Sequence, residues 1–208
     1  MHTPVLVVMT RWPASGRCKR RLAGSLGAAA AAGIQARLIS HTLTVAQSLA
    51  RHEQLRLHIA ISGAGPRARH RWLASIPEAS ISAQSRGELG QRMRREVLRA
   101  RSAHPGAPVM LIGTDLPDLS PRDLMRAMEL LHDSPLVLGP SKDGGYWLLG
   151  LGAATPGAPS WLFHSIPWGC DSVFRLTWER ACLRGLTPAR LDARNDIDRI
   201  EDLEAWMA

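Results

Sequence analysis

The sequence lacks both a long apolar run and a leader segment. No stretch approaches the ~18 apolar residues that a membrane-spanning helix needs. The first residues, Met1 to Pro4, contain neither the basic start nor the apolar segment of a signal peptide. These absences argue against a transmembrane or a secreted protein. We therefore expect a cytoplasmic protein that works without a membrane.

Cysteine and lysine are also scarce. The three cysteines, Cys18, Cys170 and Cys182, are odd in number and lack metal-ligand spacing, so they predict free thiols rather than a disulfide framework. Of the 26 basic residues, only Lys19 and Lys142 are lysines. The basic character of the chain therefore comes almost entirely from arginine.

Aromatic residues make up only 5% of the chain, and this low content affects how the positive net charge is interpreted. A net charge of +8 suggests nucleic-acid binding, but the seven tryptophans are scattered and form no base-stacking motif. A nucleic-acid partner is therefore disfavoured, and a protein that binds nucleotide or RNA without chemistry stays as an alternative. With 208 residues, 45% of them apolar, the chain predicts one globular domain.

The charge is distributed unevenly along the chain. Residues 1–107 carry 17 basic and 4 acidic side chains, whereas residues 108–208 carry 9 basic and 14 acidic ones. A basic first half suits phosphate, and an acidic second half supplies carboxylates for a cation. The pattern predicts a nucleotide–metal site where the two halves meet. Solvated helix faces without a function are the alternative.

Strand-like and helix-like segments alternate along the chain. This alternation predicts an α/β fold, a three-layer α/β/α sandwich with a mostly parallel central sheet. Helices are predicted near 27–51, 88–102 and 171–184, with further helix starts at Ser120 and near Asp198. The predicted strands are 4–9, 55–62, 79–83, 108–113, 135–139, 145–151 and 188–192.

The common glycine-rich phosphate motifs are absent, but a cation-rich segment follows the first predicted strand. Residues 10–22 match neither the P-loop nor the G-x-G-x-x-G pattern. Ligands of open α/β sheets bind where strands end, so this segment predicts a phosphate grip made of side-chain cations. A solvated basic loop is the alternative. The cations are Arg11, Arg17, Lys19, Arg20 and Arg21.

Three acidic segments of the second half complete the set of candidates. Asp115 follows a predicted strand and suits a divalent cation held against a diphosphate, although a turn would explain it equally. Asp143 begins the run Asp143-Gly144-Gly145-Tyr146, for which a hairpin turn is the alternative. Asp198 stands three residues before Glu201, so its default interpretation is a helix cap, which is compatible with metal binding.

In this order the segments resemble a bacterial family of glycosyltransferase-A-like proteins, which includes arsenosugar-biosynthesis glycosyltransferases. The family run K-x-P-x-x-G-x-x-K-T-R-L aligns with residues 11–22, and G-[TS]-D-x-P aligns with residues 113–117. Three residues depart from the family pattern. Arg11 stands in place of the first Lys, Arg20 in place of the Thr after the second Lys, and Arg199 in place of the Thr after the last Asp. Arginine keeps the charge of lysine but changes its geometry, so donor preference is expected to differ. Further matches are Gln84, Gly87 to Gly90, Arg92 and Met93, Gly139 to Tyr146, Ile166 to Gly169, and 196–203.

The resemblance implies a single nucleotide-diphospho-sugar-transferase-like domain over residues 1–208. About 1–134 would bind the nucleotide and about 135–208 the acceptor. It implies Mg²⁺ or Mn²⁺ held by Asp115 and Asp198, with Asp196 open as an alternative second ligand, and Asp115 and Asp143 as catalytic residues. The implied acceptor-binding residues are Asp143, Gly144, Gly145, Tyr146 and Trp168. The implied nucleotide-binding residues are Arg11, Gly16, Lys19, Arg21, Gly87, Leu89, Gly90 and Asp115.

The function that the resemblance implies is metal-dependent transfer of a glycosyl group from a nucleotide sugar to a small-molecule acceptor. The alternative is a nucleotidyltransferase that joins an NTP to a phosphorylated acceptor, since the wider superfamily includes such enzymes. Within the basic segment, we predict phosphate contacts for Lys19 and Arg21 and solvated side chains for Arg17 and Arg20. This prediction assumes an extended backbone, on which alternate side chains share a face.

Overall fold

The computed structural model describes residues 2–155 and 157–207. Its elements confirm each predicted strand and all five predicted helices, with shifts of a few residues at the ends. The strands are β1 Val5–Arg11, β2 Arg56–Ser62, β3 Ala79–Ala83, β4 Val109–Ile112, β5 Leu136–Pro140, β6 Tyr146–Leu151 and β7 Ala189–Arg190. The helices are α1 Arg20–Leu26, α2 Ala28–Ala50, α3 Pro66–Ser75, α4 Leu89–Ala103, α5 Pro121–Asp133, α6 Ser160–Phe163, α7 Val173–Cys182 and α8 Ile200–Met207.

The strands form one sheet in the order β3-β2-β1-β4-β6-β5-β7. Among the described strands, β6 alone runs opposite to the others, because it pairs antiparallel with both β4 and β5 while the remaining pairs are parallel. This is the mostly parallel sheet that the alternation of elements predicts. The chain therefore has an α/β fold with a mostly parallel central sheet.

Helices cover both faces of the sheet. Along β1, Leu6 and Val8 pack in one apolar core with residues of α2 and α5, whereas Val5 and Val7 pack in another core with residues of α4, α6 and α7. The alternation follows from strand geometry, since successive side chains point to opposite faces. The result is the three-layer arrangement expected from the sequence, and the central strands β1 and β4 carry buried apolar side chains on both faces.

Three helices were not predicted, and the physical reason is visible in two of them. No residue of α3 is buried, so this helix has no apolar stripe for a periodicity argument to find. Helix α1 is only seven residues long and lies inside the basic segment. The prediction that residues 17–21 are extended is therefore wrong, because the chain turns at 15–17 and becomes helical at Arg20.

The sheet brings the candidate segments to one edge. Strands β1 and β4 are parallel neighbours, so the basic segment after Arg11 lies next to the segment after Ile112. Since β5 runs in the same direction, the β5–β6 hairpin, residues 141–145, reaches this edge as well. In the described part of the chain, no helix combines the length and the apolar character needed to cross a membrane.

Candidate active site

Lys19 occupies the centre of the candidate site. Its Nζ lies 2.5 Å from Asp115 Oδ1 and also donates to the Ile197 carbonyl. The Lys19 side chain is only 5% exposed, whereas that of Asp115 is 48% exposed. The backbone of Lys19 is left-handed, with a φ of 44°, and Lys19 immediately precedes α1. Lys19 is thus an internal cation that joins both halves of the chain, rather than a solvent-exposed one.

Arg21 also has an acidic partner. Its guanidinium pairs with the Asp198 carboxylate, and both side chains are substantially exposed. The two cations predicted to contact phosphate, Lys19 and Arg21, are therefore each paired with a carboxylate. Their contact with phosphate stays a prediction that requires these pairs to open.

Arg92 is a cation that the sequence-based site prediction missed. Its Nη1 donates to Gln84 Oε1 at 2.8 Å, and the Gln84 amide donates in turn to the carbonyls of Thr10 and Ala60 at 3.0 and 2.8 Å. Burial and then the neighbouring charge of Arg11 lower the pKa of Arg92. The buried Arg92 Nε has no partner among the described residues.

Arg11 and Arg92 therefore form a pair of like charges without a carboxylate. Arg11 donates to the Arg17 carbonyl at 3.1 Å, and neither guanidinium is in an ion pair within the described part of the chain. Close guanidinium groups repel unless an anion offsets their charge. The two guanidinium groups are therefore a candidate anion site. Arg92 could have been identified from the sequence, because it lies in the run that aligns with the family pattern.

We call the cavity around these cations the basic cleft. It has a volume of about 550 Å³, and Thr10, Thr114 and Gln35, linked by 3.2 Å hydrogen bonds, are polar residues of its lining. Two carboxylates, Asp115 and Asp198, also line it. The cationic lining consists of Arg11, Arg17, Lys19, Arg20, Arg21 and Arg92.

Asp196 joins Asp115 and Asp143 at the acidic side of the site. Its pKa is raised to about 6, first by burial, then by the charge of Asp143 and with a smaller contribution from Asp115, while Lys19 opposes the shift. The Ile197 N–H donates to the Asp115 carbonyl at 2.9 Å, which holds segment 196–198 against β4. The Lys19 ammonium thus pairs with Asp115 and also acts on Asp196.

Asp198 is not the residue that caps α8. The Asp202 carboxylate accepts hydrogen bonds from the backbone N–H groups of Asp198 and Arg199 at 3.0 and 2.8 Å. The Asp198 carboxylate faces Arg21 instead. The default interpretation of Asp198 as a helix cap is therefore wrong, and its metal role stays a prediction.

The hairpin of residues 141–145 positions Asp143. Asp143 Oδ1 accepts a hydrogen bond from the Gly145 N–H at 2.9 Å, so the turn predicted as the alternative is present. Gly144 has a φ of +87° and accepts a hydrogen bond from Phe174 at 2.9 Å. A turn role and a chemical role are compatible, because the second carboxylate oxygen of Asp143 is available.

A second cavity adjoins the basic cleft, and we call it the aromatic pocket. Its volume is about 360 Å³, and its lining includes the rings of Tyr146, Trp147 and Trp168. Tyr146 and Trp168 meet edge to face, with ring centroids 6.1 Å apart. The buried Tyr146 hydroxyl has no partner among the described residues, and burial raises its pKa.

The aromatic pocket is acidic and contains no cation. Asp115, Asp143 and Asp196 line it, and none of the described residues of its lining is a lysine, arginine or histidine. Asp115 lines both cavities, as do Met9 and Leu89. The two cavities therefore meet at Asp115, one cationic and the other anionic and apolar.

The predicted glycines have different positions. Gly16, Gly87 and Gly90 do not line the basic cleft, whereas Gly145 lines the aromatic pocket. A Cβ on Gly90 would stand 2.0 Å from the Phe163 carbonyl oxygen and 2.6 Å from Trp168 Nε1. Gly90 therefore lets α4 approach the wall of the aromatic pocket, and a nucleotide-binding role for these three glycines stays a prediction.

Replacing Gly144 by alanine should strongly destabilise the fold. A Cβ there would lie 2.0 Å from the Asp171 carbonyl oxygen in a left-handed backbone, so conformational strain and overpacking together should cost about 2–4 kcal/mol. Gly169→Ala is the matched control, since its φ is +88° but no atom lies within 4 Å of the added carbon; it should cost only ~1–2 kcal/mol. Urea unfolding compares the two, and equal losses would contradict the close packing of the hairpin.

The carboxylates fit a divalent cation that arrives with phosphate. Among the described histidine, cysteine and acidic residues, no three form a ready group of metal ligands. Mg²⁺ is commonly held by one or two carboxylates together with substrate phosphates. Asp115 and Asp196 suit this mode because both line the aromatic pocket and lie close enough for the Asp115 charge to raise the pKa of Asp196. Asp115 would first have to separate from Lys19, as Asp198 would from Arg21.

The comparisons with known proteins agree with this fold. Residues 44–170 match the family described as "Uncharacterized protein conserved in bacteria (DUF2064)", which is more than half of the chain. No curated protein matches the sequence. The chain is similar to a crystal structure from Desulfovibrio desulfuricans G20, assigned by name to the nucleotide-diphospho-sugar transferases. The TM-score is 0.84 with 26% identity, over 99% of this chain and 86% of that one.

More distant solved structures share the fold. One is a CMP:2-keto-3-deoxy-manno-octonic acid synthetase complexed with CTP, with a TM-score of 0.60 and 14% identity, over 98% of this chain and 96% of that one. Another is the inositol-1-phosphate CTP transferase from T. maritima, with a TM-score of 0.56 and 14% identity, over 100% and 96%. At this identity the similarity concerns the fold alone.

Proposed function

The chain belongs to the DUF2064 family, and from this premise and the site geometry we propose that it transfers a glycosyl group from a nucleotide sugar to a small-molecule acceptor. The observation that carries the proposal is the junction of two unlike cavities at Asp115. A basic cleft suits a diphosphate, and the adjoining aromatic pocket suits an uncharged acceptor. Membership of the arsenosugar-related subfamily stays a prediction from the sequence motifs.

The donor would lie in the basic cleft. Arg11 and Arg92 have no carboxylate partner among the described residues, so their guanidinium groups are available to bind the diphosphate in charge-assisted hydrogen bonds. The same contacts would stabilise the negative charge that grows on the leaving diphosphate. Electrostatic stabilisation of this kind is usually the largest single contribution to catalysis.

Mg²⁺ or Mn²⁺ would be held by Asp115 and Asp196 together with the diphosphate. When bound, the ion supplies positive charge that helps the diphosphate to leave. We assign the second ligand to Asp196 rather than Asp198 because Asp196 lines the aromatic pocket together with Asp115 and lies close enough for the Asp115 charge to raise its pKa. With the cation bound between them, Asp115 and Asp196 would fix the position of the diphosphate at the junction of the two cavities.

The acceptor would lie in the aromatic pocket, next to Asp143. Its hydroxyl oxygen attacks the anomeric carbon, the bond from that carbon to the diphosphate oxygen breaks, and the bonding electron pair leaves with the nucleoside diphosphate. Asp143 accepts the hydroxyl proton as the general base. Tyr146 and Trp168 would bind the body of the acceptor through their rings.

The absence of cations from the described lining of the aromatic pocket favours glycosyl over nucleotidyl transfer. A phosphorylated acceptor would bring negative charge beside Asp143 and Asp196, and like charges at short range repel. The nucleotidyltransferase alternative keeps one supporting observation, since the basic cleft also suits a triphosphate.

Incubation with nucleotide sugars and Mn²⁺ tests the proposal. We expect slow release of nucleoside diphosphate without an acceptor, because water can enter the aromatic pocket, and a faster release with a suitable hydroxyl compound. Asp143→Asn should reduce the transfer rate by about 10²–10⁴-fold, as expected for loss of a general base. Asp133→Asn, at an exposed carboxylate on α5, is the matched control and should leave the rate unchanged.

The opposite result has a clear form. Pyrophosphate release from an NTP after addition of a phosphorylated acceptor, with no turnover of any nucleotide sugar, would replace the proposal by nucleotidyl transfer. Binding of RNA without either reaction would instead support the interpretation as a binding protein.

A further inference from the structure

The contact between Lys19 and Asp115 places a protein cation where the proposed metal ion needs a ligand. The ammonium lies 2.5 Å from Asp115 Oδ1, and its side chain is almost fully buried. An ammonium and a divalent cation cannot share one carboxylate oxygen without strong repulsion. This contact therefore holds Asp115 in a form that opposes metal binding.

The arrangement around Lys19 also supplies a route for its release. Its only other hydrogen-bond partner among the described residues is the Ile197 carbonyl, which is neutral. Lys19 lines the basic cleft, in which Arg11 and Arg92 lack acidic partners. A diphosphate bound by these arginines would offer the ammonium a more negative acceptor than a carbonyl. The long, flexible stem of lysine permits this exchange.

We propose that Lys19 is an internal competitor for the metal site, which holds Asp115 until a nucleoside diphosphate draws its ammonium away. This inference rests on the proposed function for the identity of the diphosphate. It makes binding of the metal ion and of the nucleotide mutually dependent. Each ligand increases the binding affinity of the other, because both favour the state in which the Lys19–Asp115 pair is open.

A consequence is that the metal ion alone binds weakly. The ion must separate a buried ammonium from its carboxylate, whereas with a diphosphate present the ammonium has another partner. Reciprocal coupling of this kind is typically 5–150-fold in affinity. Removal of the Lys19 side chain should therefore increase the metal affinity, whereas removal of a polar side chain beside a metal site usually decreases it.

Mn²⁺ titration of three proteins tests this inference. Electron paramagnetic resonance should show that Lys19→Met binds Mn²⁺ without nucleotide at least about fivefold more tightly than the unmodified chain. Arg20→Met is the matched control: it removes an exposed cation that lines the same cleft and forms no ion pair with a carboxylate among the described residues. Its Mn²⁺ affinity should stay within about twofold of the original, as expected for an exposed charge.

A second arm measures the coupling. UDP, CDP and GDP are added in separate titrations, and any that binds should increase the Mn²⁺ affinity of the unmodified chain more than that of Lys19→Met. Lys19→Gln is a second variant in case Lys19→Met folds poorly, because its amide can still donate to the Ile197 carbonyl. Thermal unfolding confirms that each protein is folded before titration.

Two results would overturn the inference. Equal Mn²⁺ affinities for the unmodified chain, Lys19→Met and Lys19→Gln would mean that Lys19 does not compete, and an equal gain in Arg20→Met would mean that only the total charge matters. Failure of the proposed function looks different. In that case nucleotide sugars are not turned over, whereas the change in Mn²⁺ affinity caused by Lys19→Met persists.

Discussion

Asp115→Asn should abolish metal-dependent binding of the nucleotide and lower the transfer rate by at least about 10²–10³-fold, as expected for loss of a key electrostatic group. The substitution removes a negative charge without changing the volume. Asp115 lines both cavities and contacts Lys19, so the loss acts on the metal ion, the diphosphate and the competing ammonium together. Calorimetry with and without Mn²⁺, followed by rate measurements, checks the expectation.

The control for this variant comes from the same segment. Asp118→Asn removes an exposed carboxylate that pairs with Arg194 at 2.8 Å, and it should leave nucleotide binding unchanged. Because Asp115→Asn leaves Lys19 buried without its acidic partner, Lys19→Met with Asp115→Asn tests whether any unfolding comes from that unpaired charge. Unchanged metal dependence in a folded Asp115→Asn protein would make Asp115 a turn residue only.

After Asp115→Asn, we expect the largest loss of nucleotide binding when the guanidinium of Arg11 or of Arg92 is removed. Arg92→Gln or Arg11→Gln should each cost about 1.5–3 kcal/mol of binding free energy for a nucleoside diphosphate, the range for hydrogen bonds to charged groups. The reason is that these side chains have no carboxylate in the described part of the chain to compete with the phosphate. Isothermal titration at fixed ionic strength measures the difference.

Two exposed cations of the same cleft serve as controls. Arg17→Gln and Arg20→Gln should each cost less than about 1 kcal/mol, as expected for solvated charges. Arg21→Gln should fall between the two groups, because its guanidinium must first leave Asp198. Equal small losses at every position would indicate a diffuse basic surface, and nucleic acid would then become the better candidate for the partner.

Much of the fold could be predicted because its strands are buried on both faces. Runs such as Val5 to Val8 and Val109 to Ile112 are apolar at every position, which is typical of parallel strands between two helical layers. Helix α5 was also predictable, because the Ser120 N–H donates to Asp123 Oδ2 at 2.9 Å in a capping box. Helix α3 was not, since it buries no side chain.

The candidate site could be predicted only in part. The sequence places Asp115 and Asp143 after strands, and these residues do line one pocket. The partners of Lys19 and the unpaired state of Arg92 depend on contacts between distant segments, which no local pattern encodes. Because residues 17–21 were assumed to be extended, the left-handed backbone of Lys19 was not predicted.

The reversed direction of β6 has a consequence for how the acceptor preference of this scaffold can change. The β5–β6 hairpin reaches the edge of the sheet where β1 and β4 end. It is held there by the antiparallel pairing of β6 with β4 on one side and with β5 on the other. At its tip, Ser141 lines the aromatic pocket and can therefore be varied while Asp143 and Gly144 are kept and the proposed phosphate-binding elements keep their register. A library of substitutions at Ser141 and its neighbour Lys142 would be expected to alter the choice of the proposed acceptor while the donor is retained, which makes this turn the natural starting point for redesign.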